Sequence, residues 1–185
     1  MTRIPDARIL IMASDGFEQS ELMIPQKKLA QEGAAVHIAS PDGSAIKGWD
    51  GDDWGTTVQA DASIEDIGAS DYDALVLPGG QINPDTLRVN GTALALIKAF
   101  AKAGKPIAAV CHAPWLLIEA GLIAGRRATS YKSIRTDVAN AGATWVDESV
   151  VVDSGLITSR NPDDLGDFCE AIIQAVAGRE AAHAA

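Results

Sequence analysis

Cysteine is nearly missing from this 185-residue sequence, in which Cys111 and Cys169 are the only two. Two thiols cannot build a disulfide framework, so a small stapled secreted scaffold is excluded and a reducing, cytoplasmic setting is expected. Long apolar runs are missing as well. None approaches the roughly 20 residues that a membrane-spanning helix needs. The first, Ile9 to Ala13, is shorter than a signal-peptide core and runs at once into Asp15. A soluble protein with no export segment is expected. Positive charge is scarce, with 15 basic against 25 acidic side chains and a net charge of −10. Lys27-Lys28 and Arg126-Arg127 are only pairs, so neither nucleic acid nor an anionic membrane surface is an expected partner. Asp50, Asp52 and Asp53 lack the remaining ligands of a calcium loop and read as a solvated turn, so no metal is expected.

What is present is an apolar content of 47% in a length that suits one domain, assigned to residues 1–178, with a frayed tail at 179–185. Short β-branched runs alternate with amphipathic stretches, which predicts an α/β fold: a doubly wound, mostly parallel sheet with helices on both faces, a flavodoxin-like sandwich. Strands are expected at Arg8 to Ala13, Ala35 to Ser40, Asp73 to Leu77 and Ile107 to Val110, and helices at Glu18 to Glu32 and Asn90 to Ala103. The glycine-punctuated segment 42–69 predicts a hairpin beside the main sheet. After Arg127 to Ser130 and a helix near Ser133 to Asn140, a strand pair at Val150 to Val152 and Leu156 to Thr158 precedes a last helix. Asn161 is its N-cap, with Pro162 at the first helical position. Cys169 falls among Leu165, Phe168, Ile172, Ile173 and Val176 at helical spacing and belongs to the core.

Cys111 is different. It ends the apolar strand Ile107 to Val110, and a helix opens directly after it, so a nucleophile elbow is expected at the carboxyl edge of the sheet. Amide dipoles of that helix are expected to favour the thiolate. His112 follows the thiol and, across a bent elbow, is the natural base. Leu77-Pro78-Gly79-Gly80 ends another strand, so Gly79 and Gly80 should bring bare amides to the same edge, with Gly80 the preferred oxyanion donor. The lysine and glycine pattern of a phosphate loop is absent, and no cofactor is expected. Glu18, beyond the first strand, should open onto that edge too. A protonated Glu18 can donate a hydrogen bond to sulfur, with Glu21 as its rival. His37 lies within a strand and His183 in the tail, and neither reads as catalytic.

These segments resemble a known family. GFEQSEL at Gly16 to Leu22, LVLPGG at Leu75 to Gly80, AVCHAPW at Ala109 to Trp115, TSY at Thr129 to Tyr131 and the run from Asn140 to Leu165 are similar, in order, to PfpI-type intracellular peptidases. These sit within the DJ-1/PfpI superfamily that also holds the class I glutamine amidotransferases. The resemblance implies Cys111 as nucleophile, His112 as base and Glu18 hydrogen-bonded to the sulfur. It also implies an acid, shortly after the double glycine, that reaches the histidine of a neighbouring subunit. Asp85 matches that position, in a loop longer by a residue and with aspartate where the family often has glutamate. Ala113 stands where relatives often have glycine. No histidine and glutamate pair of the amidotransferase kind follows.

The expected function is a cysteine-dependent hydrolase that attacks carbonyls of small peptides or of glyoxal-type aldehyde adducts on proteins, in a stress-protective role, with self-association completing the site. Tyr131, the Gln81 to Arg88 loop, Trp115, Lys132 and the Trp49 to Trp54 segment are expected to border the substrate or a subunit contact. Two other classes remain open: a redox sensor or chaperone that works through oxidation of Cys111, and a plain flavodoxin-like binding domain.

Overall fold

The computed structural model describes residues 4–183. Its first half comprises β1 (Arg8–Met12), β2 (Phe17–Glu18), α1 (Gln19–Gln31), β3 (Ala35–Ser40), β4 (Ile46–Asp50), β5 (Asp53–Val58), β6 (Ala62–Ser63), β7 (Ala74–Leu77), α2 (Ile82–Leu87) and α3 (Gly91–Lys102). The second half comprises β8 (Ile107–Val110), α4 (Pro114–Glu119), β9 (Arg127–Ala128), α5 (Arg135–Asn140), β10 (Thr144–Trp145), β11 (Val150–Asp153), β12 (Leu156–Ser159) and α6 (Leu165–His183).

The main sheet has the order β11-β12-β8-β7-β1-β3-β6, and every pairing in it is parallel except the β11–β12 hairpin. The central strands are apolar at nearly every position because both of their faces are covered. Leu10, Met12, Leu75, Leu77, Ile107 and Ala109 pack on one face with Leu96, Ile97 and Phe100 of α3, Leu116 and Leu117 of α4 and Val138 of α5. Ile9, Ile11, Val76, Ala108 and Val110, the alternate residues, pack on the other with Leu22 and Leu29 of α1 and Phe168, Ile172 and Val176 of α6. Period-two alternation of side chains thus sorts one strand set into two cores. Cys169 is fully buried on α6.

The hairpin expected in segment 42–69 is β4 paired antiparallel with β5, and β2 extends it into a separate three-stranded sheet. Two expectations are corrected. The Gln81 to Arg88 segment, read as a loop, contains the helical turns of α2. The last helix, expected to end near Gly178, is assigned as α6 to His183, and Arg179 Nη1 donates to the carbonyl of Gly104.

From β1 the chain steps to β3 on one side and later to β7 and β8 on the other. The strand order therefore reverses between β1 and β7, and in open α/β sheets a crevice opens at the carboxyl ends beside such a reversal. The ends of β1, β7 and β8 deliver Ser14, Pro78-Gly79-Gly80 and Cys111 to that crevice.

Candidate active site

Cys111 has a φ of 63°, one of two non-glycine residues in the left-handed region among the described residues. A side chain there costs about 1–2 kcal/mol, so the surroundings must over-determine it. They do: the Cys111 N–H donates to Ser159 O at the end of β12 (3.0 Å), and its carbonyl accepts the Tyr131 N–H (2.8 Å). The next turn closes through Ala113 N to Val110 O, and Pro114 opens α4 at a position that needs no N–H donor. Ala113 itself is right-handed, with φ −59°, so alanine in place of the family's glycine strains nothing.

On a straight strand consecutive side chains point to opposite faces. The left-handed step at Cys111 instead turns its thiol and the His112 ring together, with Sγ 3.0 Å from Nδ1. On the far side of the ring, Nε2 lies 3.0 Å from Ser133 Oγ. Tyr131 stacks on the imidazole at a centroid distance of 4.8 Å and Trp115 flanks it at 5.3 Å. Burial lowers the His112 pKa, so the imidazole is neutral at pH 7.

The acid beside the sulfur is Glu21, and the expectation for Glu18 is corrected. Because Phe17–Glu18 is held as β2, the helix begins one residue later, and Glu18 becomes its extended N-cap with φ −62° and ψ 118°. Glu18 Oε1 accepts the Ser20 hydroxyl on the pocket wall. Glu21, in the first turn of α1, points inward and is completely buried. Its Oε2 accepts the Gly79 N–H at 2.8 Å, while Oε1 is sealed without a partner. Burial, followed by the nearby Glu18 charge, pushes the Glu21 pKa up from an ordinary 4.5 to about 8. The carboxyl is therefore mostly protonated at neutral pH and lies close enough to Cys111 for each group to shift the other.

Gly79 has its amide committed to Glu21, so it does not serve as the oxyanion donor expected of it. A Cβ there would meet Cys111 Cβ, Glu21 Oε2 and Val110 O, all at 2.7 Å, which explains the need for glycine. Gly80 is left-handed, with φ 76°, and its amide and that of His112 lie near the Cys111 sulfur. These two amides lower the thiol pKa, but burial and the Glu21 carboxyl outweigh them and raise it. The expectation of a thiolate favoured by helix dipoles is corrected: α4 is only six residues long and Cys111 is 6% exposed, so desolvation wins.

A pocket of about 440 Å³ opens above this group, lined by Glu18, Glu21, Trp49, Gly80, Ile82, Cys111, His112 and Tyr131 among others. Tyr131 therefore borders both the base and the open space. Asp85 does not join them within one chain. On α2 its side chain is 71% exposed and lies 3.9 Å from Arg88. Trp115 sits outside the pocket, with its indole N–H donating to Asp137 Oδ2 (2.8 Å). His37 contacts the Tyr72 hydroxyl, away from this edge. The side chain of His183 lies outside the described side chains. Ser133 went unnoticed in the sequence. Its one signal is its position two residues after the Thr129-Ser130-Tyr131 block.

Residues 7–175 match the DJ-1/PfpI family, a span that takes in the whole sheet and both helical layers. The chain belongs to the DJ-1/PfpI family. Among DJ-1/PfpI proteins it is similar to a deglycase of Thermococcus kodakarensis, with 43% identity over 158 residues that cover 85% of this chain and 92% of the relative. It is also similar to protein/nucleic acid deglycase 2 of Escherichia coli, with 40% identity over 163 residues covering 87% and 92% respectively. Its backbone is similar to a two-domain protein of Anabaena variabilis that contains dj-1/thij/pfpi-like and ferritin-like domains, with a TM-score of 0.86 and 37% identity over 91% of this chain. The chain spans about half, 48%, of that protein. The elbow, the double-glycine turn and the Thr-Ser-Tyr block of this DJ-1/PfpI chain thus lie within the matched span.

Proposed function

We propose that this DJ-1/PfpI protein is a cysteine-dependent hydrolase of carbonyl substrates, small peptides or aldehyde adducts of the glyoxal type on proteins, acting in the cytoplasm in a stress-protective role. The observation that carries the reading is the 3.0 Å approach of Cys111 Sγ to His112 Nδ1 at the floor of an open pocket. The deglycase names of its relatives support the substrate class.

At rest the three groups that meet at the sulfur are without charge: a thiol, a neutral imidazole and a protonated carboxyl. As a carbonyl carbon approaches, the thiol proton passes to His112 Nδ1 and the sulfur electron pair forms the S–C bond. The carbonyl π pair moves onto oxygen, where the Gly80 and His112 amides can receive it. Each such donor is typically worth about 10²–10³ in kcat. At a peptide carbonyl, collapse of the adduct expels the amine, which takes the proton from Nδ1, and water releases the acyl group from sulfur as a carboxylic acid. At the carbinol carbon of an aldehyde adduct, sulfur displaces the same amine, and water then displaces sulfur, which regains its proton as the aldehyde leaves as its hydrate. Glu21, when protonated, donates toward the sulfur and holds the anion without adding charge of its own.

Self-association belongs to the same proposal. Asp85 is displayed outward by α2, and a second copy is its route to an imidazole.

Cys111→Ala is expected to abolish turnover of the methylglyoxal adduct of the side-chain amine of N-acetyl-lysine and of small peptides, assayed by amine release. Turnover retained by that variant would falsify the reading. A redox role is the second reading, favoured by the protonated Glu21 carboxyl, which suits the oxygens of a Cys111 sulfinate. Mass spectrometry of the same samples after mild peroxide separates the two: single-site oxidation at Cys111 without any turnover supports sensing alone.

A further inference from the structure

We propose that Ser133 is the positioning residue of the His112 imidazole: its hydroxyl accepts the Nε2–H and so turns the Nδ1 lone pair onto the Cys111 thiol within a single chain. This assignment rests on the hydrolase reading of Cys111 and His112.

Both ring nitrogens are engaged at 3.0 Å, Nδ1 by Cys111 Sγ and Nε2 by Ser133 Oγ, and among the described residues no other side chain bonds either one. A ring held at both ends cannot flip. The support for Ser133 is also tied to the nucleophile. Tyr131, which stacks on the ring, donates its N–H to the Cys111 carbonyl at 2.8 Å. The Ile134 N–H donates to Tyr131 O and the Arg135 N–H to Lys132 O, which closes the turn around Ser133. Nucleophile, stacking ring and hydroxyl therefore form one backbone-linked unit.

A hydroxyl can donate or accept, so the direction of its bond is decided at the other nitrogen. The Cys111 proton needs an acceptor. Glu21 Oε2 already accepts from Gly79, and the carboxyl, mostly protonated at neutral pH, is a far weaker base than the neutral imidazole whose Nδ1 lies 3.0 Å from the sulfur, so Nδ1 takes the proton. With Nδ1 accepting, Nε2 carries the hydrogen and Ser133 Oγ accepts it. When the thiol proton crosses to Nδ1, the electron pair of the S–H bond stays on sulfur, and the Nε2–H···Oγ bond remains as it was. No group has to rotate during the transfer. An acid from a second copy, Asp85 for example, finds both ring nitrogens taken and acts on the imidazolium only through the Ser133 hydroxyl, by accepting its hydrogen.

The test pairs nitrogen-15 NMR of the imidazoles with steady-state kinetics on the methylglyoxal adduct of the side-chain amine of N-acetyl-lysine. The wild type is expected to hold His112 as the Nε2–H tautomer. In Ser133→Ala the two tautomers are expected to mix, with kcat falling roughly tenfold, a part of the 10²–10⁴ that a well-placed base provides, and KM little changed. Ser133→Thr, which keeps the hydroxyl, is expected to restore both. If Ser133→Ala fails to fold, Ser133→Val against Ser133→Thr, equal in shape and different in the hydroxyl, makes the same comparison. A single Nε2–H tautomer and a kcat within about twofold of wild type in the variant without the hydroxyl overturn the proposal. Failure of the hydrolase reading looks different, because it shows as turnover that survives Cys111→Ala.

Discussion

Glu21 is a carboxyl that the fold keeps without its charge. Unfolded, it ionises near 4.5; folded, it holds its proton up to about 8. Between those values the native state binds more protons than the unfolded state, so its contribution to stability is whole below pH 4.5 and is lost as pH rises toward 8. His112 acts in the opposite sense. Its lowered pKa makes the native state resist protonation, so stability falls as pH drops through its unfolded value of 6.5. Glu21→Gln is therefore expected to flatten the decline between pH 5 and 8, with a difference from wild type on the order of a few kcal/mol at pH 8. Thermal unfolding of both proteins at the two pH values checks this, and parallel curves would refute it. The sequence held Glu18 and Glu21 as rivals because both stand at the start of α1, three residues apart. Only the short strand β2, which delays the helix by one residue, decides which carboxyl faces inward. Period and composition carry no trace of that delay. Cys111 and His112 were legible because a thiol that ends an apolar strand is a local feature. Ser133, 21 residues from His112, was not, because nothing local marks a serine for a distant ring.

Elements were easier to read than contacts. The buried parallel strands announce themselves as unbroken aliphatic runs, and the expected boundaries of β1, β3, β7 and β8 fall within a residue or so of the observed ones. β6, β9 and β10 were less visible, since two-residue strands are defined by their partners and not by any pattern of their own. The β4–β5 hairpin has a functional bearing through Trp49, which lines the pocket, and it is fixed to α1 by one side chain. Gln19 accepts the Thr56 N–H with Oε1 and donates to Asp50 with Nε2. Its loss removes two hydrogen bonds that hold the hairpin against α1, while the β2–β4 pairing and the elbow remain. Gln19→Ala is expected to raise KM severalfold, equivalent to about 1 kcal/mol for lost hydrogen bonds, with kcat much less affected. Steady-state kinetics measure this, and an equal fall in kcat alone would mean that the hairpin acts on the chemistry instead.

At the scale of the whole molecule, charge and apolar surface oppose each other. With a net charge of −10, two copies repel. Met23 and Ile24 on α1, Ile82 on α2, Val89 after it and Val152 on β11 nevertheless leave apolar surface exposed. If that surface draws copies together, salt should help by screening the repulsion, whose range is about 10 Å at 0.1 M. The associated fraction in sedimentation velocity is expected to rise from about 0.05 to 0.5 M salt. A fall instead would mean that ion pairs such as those open to Asp85 hold the assembly. Among the described residues, no helix is long and apolar enough to cross a membrane.

The left-handed backbone at residue 111 bears on how such a protein can change over generations. Glycine would sit there more comfortably than cysteine, so every copy folds against a local misfit in order to present its sulfur. Heat resistance and reactivity thus pull one codon in opposite directions. A lineage selected for endurance alone would shed its nucleophile readily, since relief lies a single substitution away and the scaffold around it is already built to hold that turn.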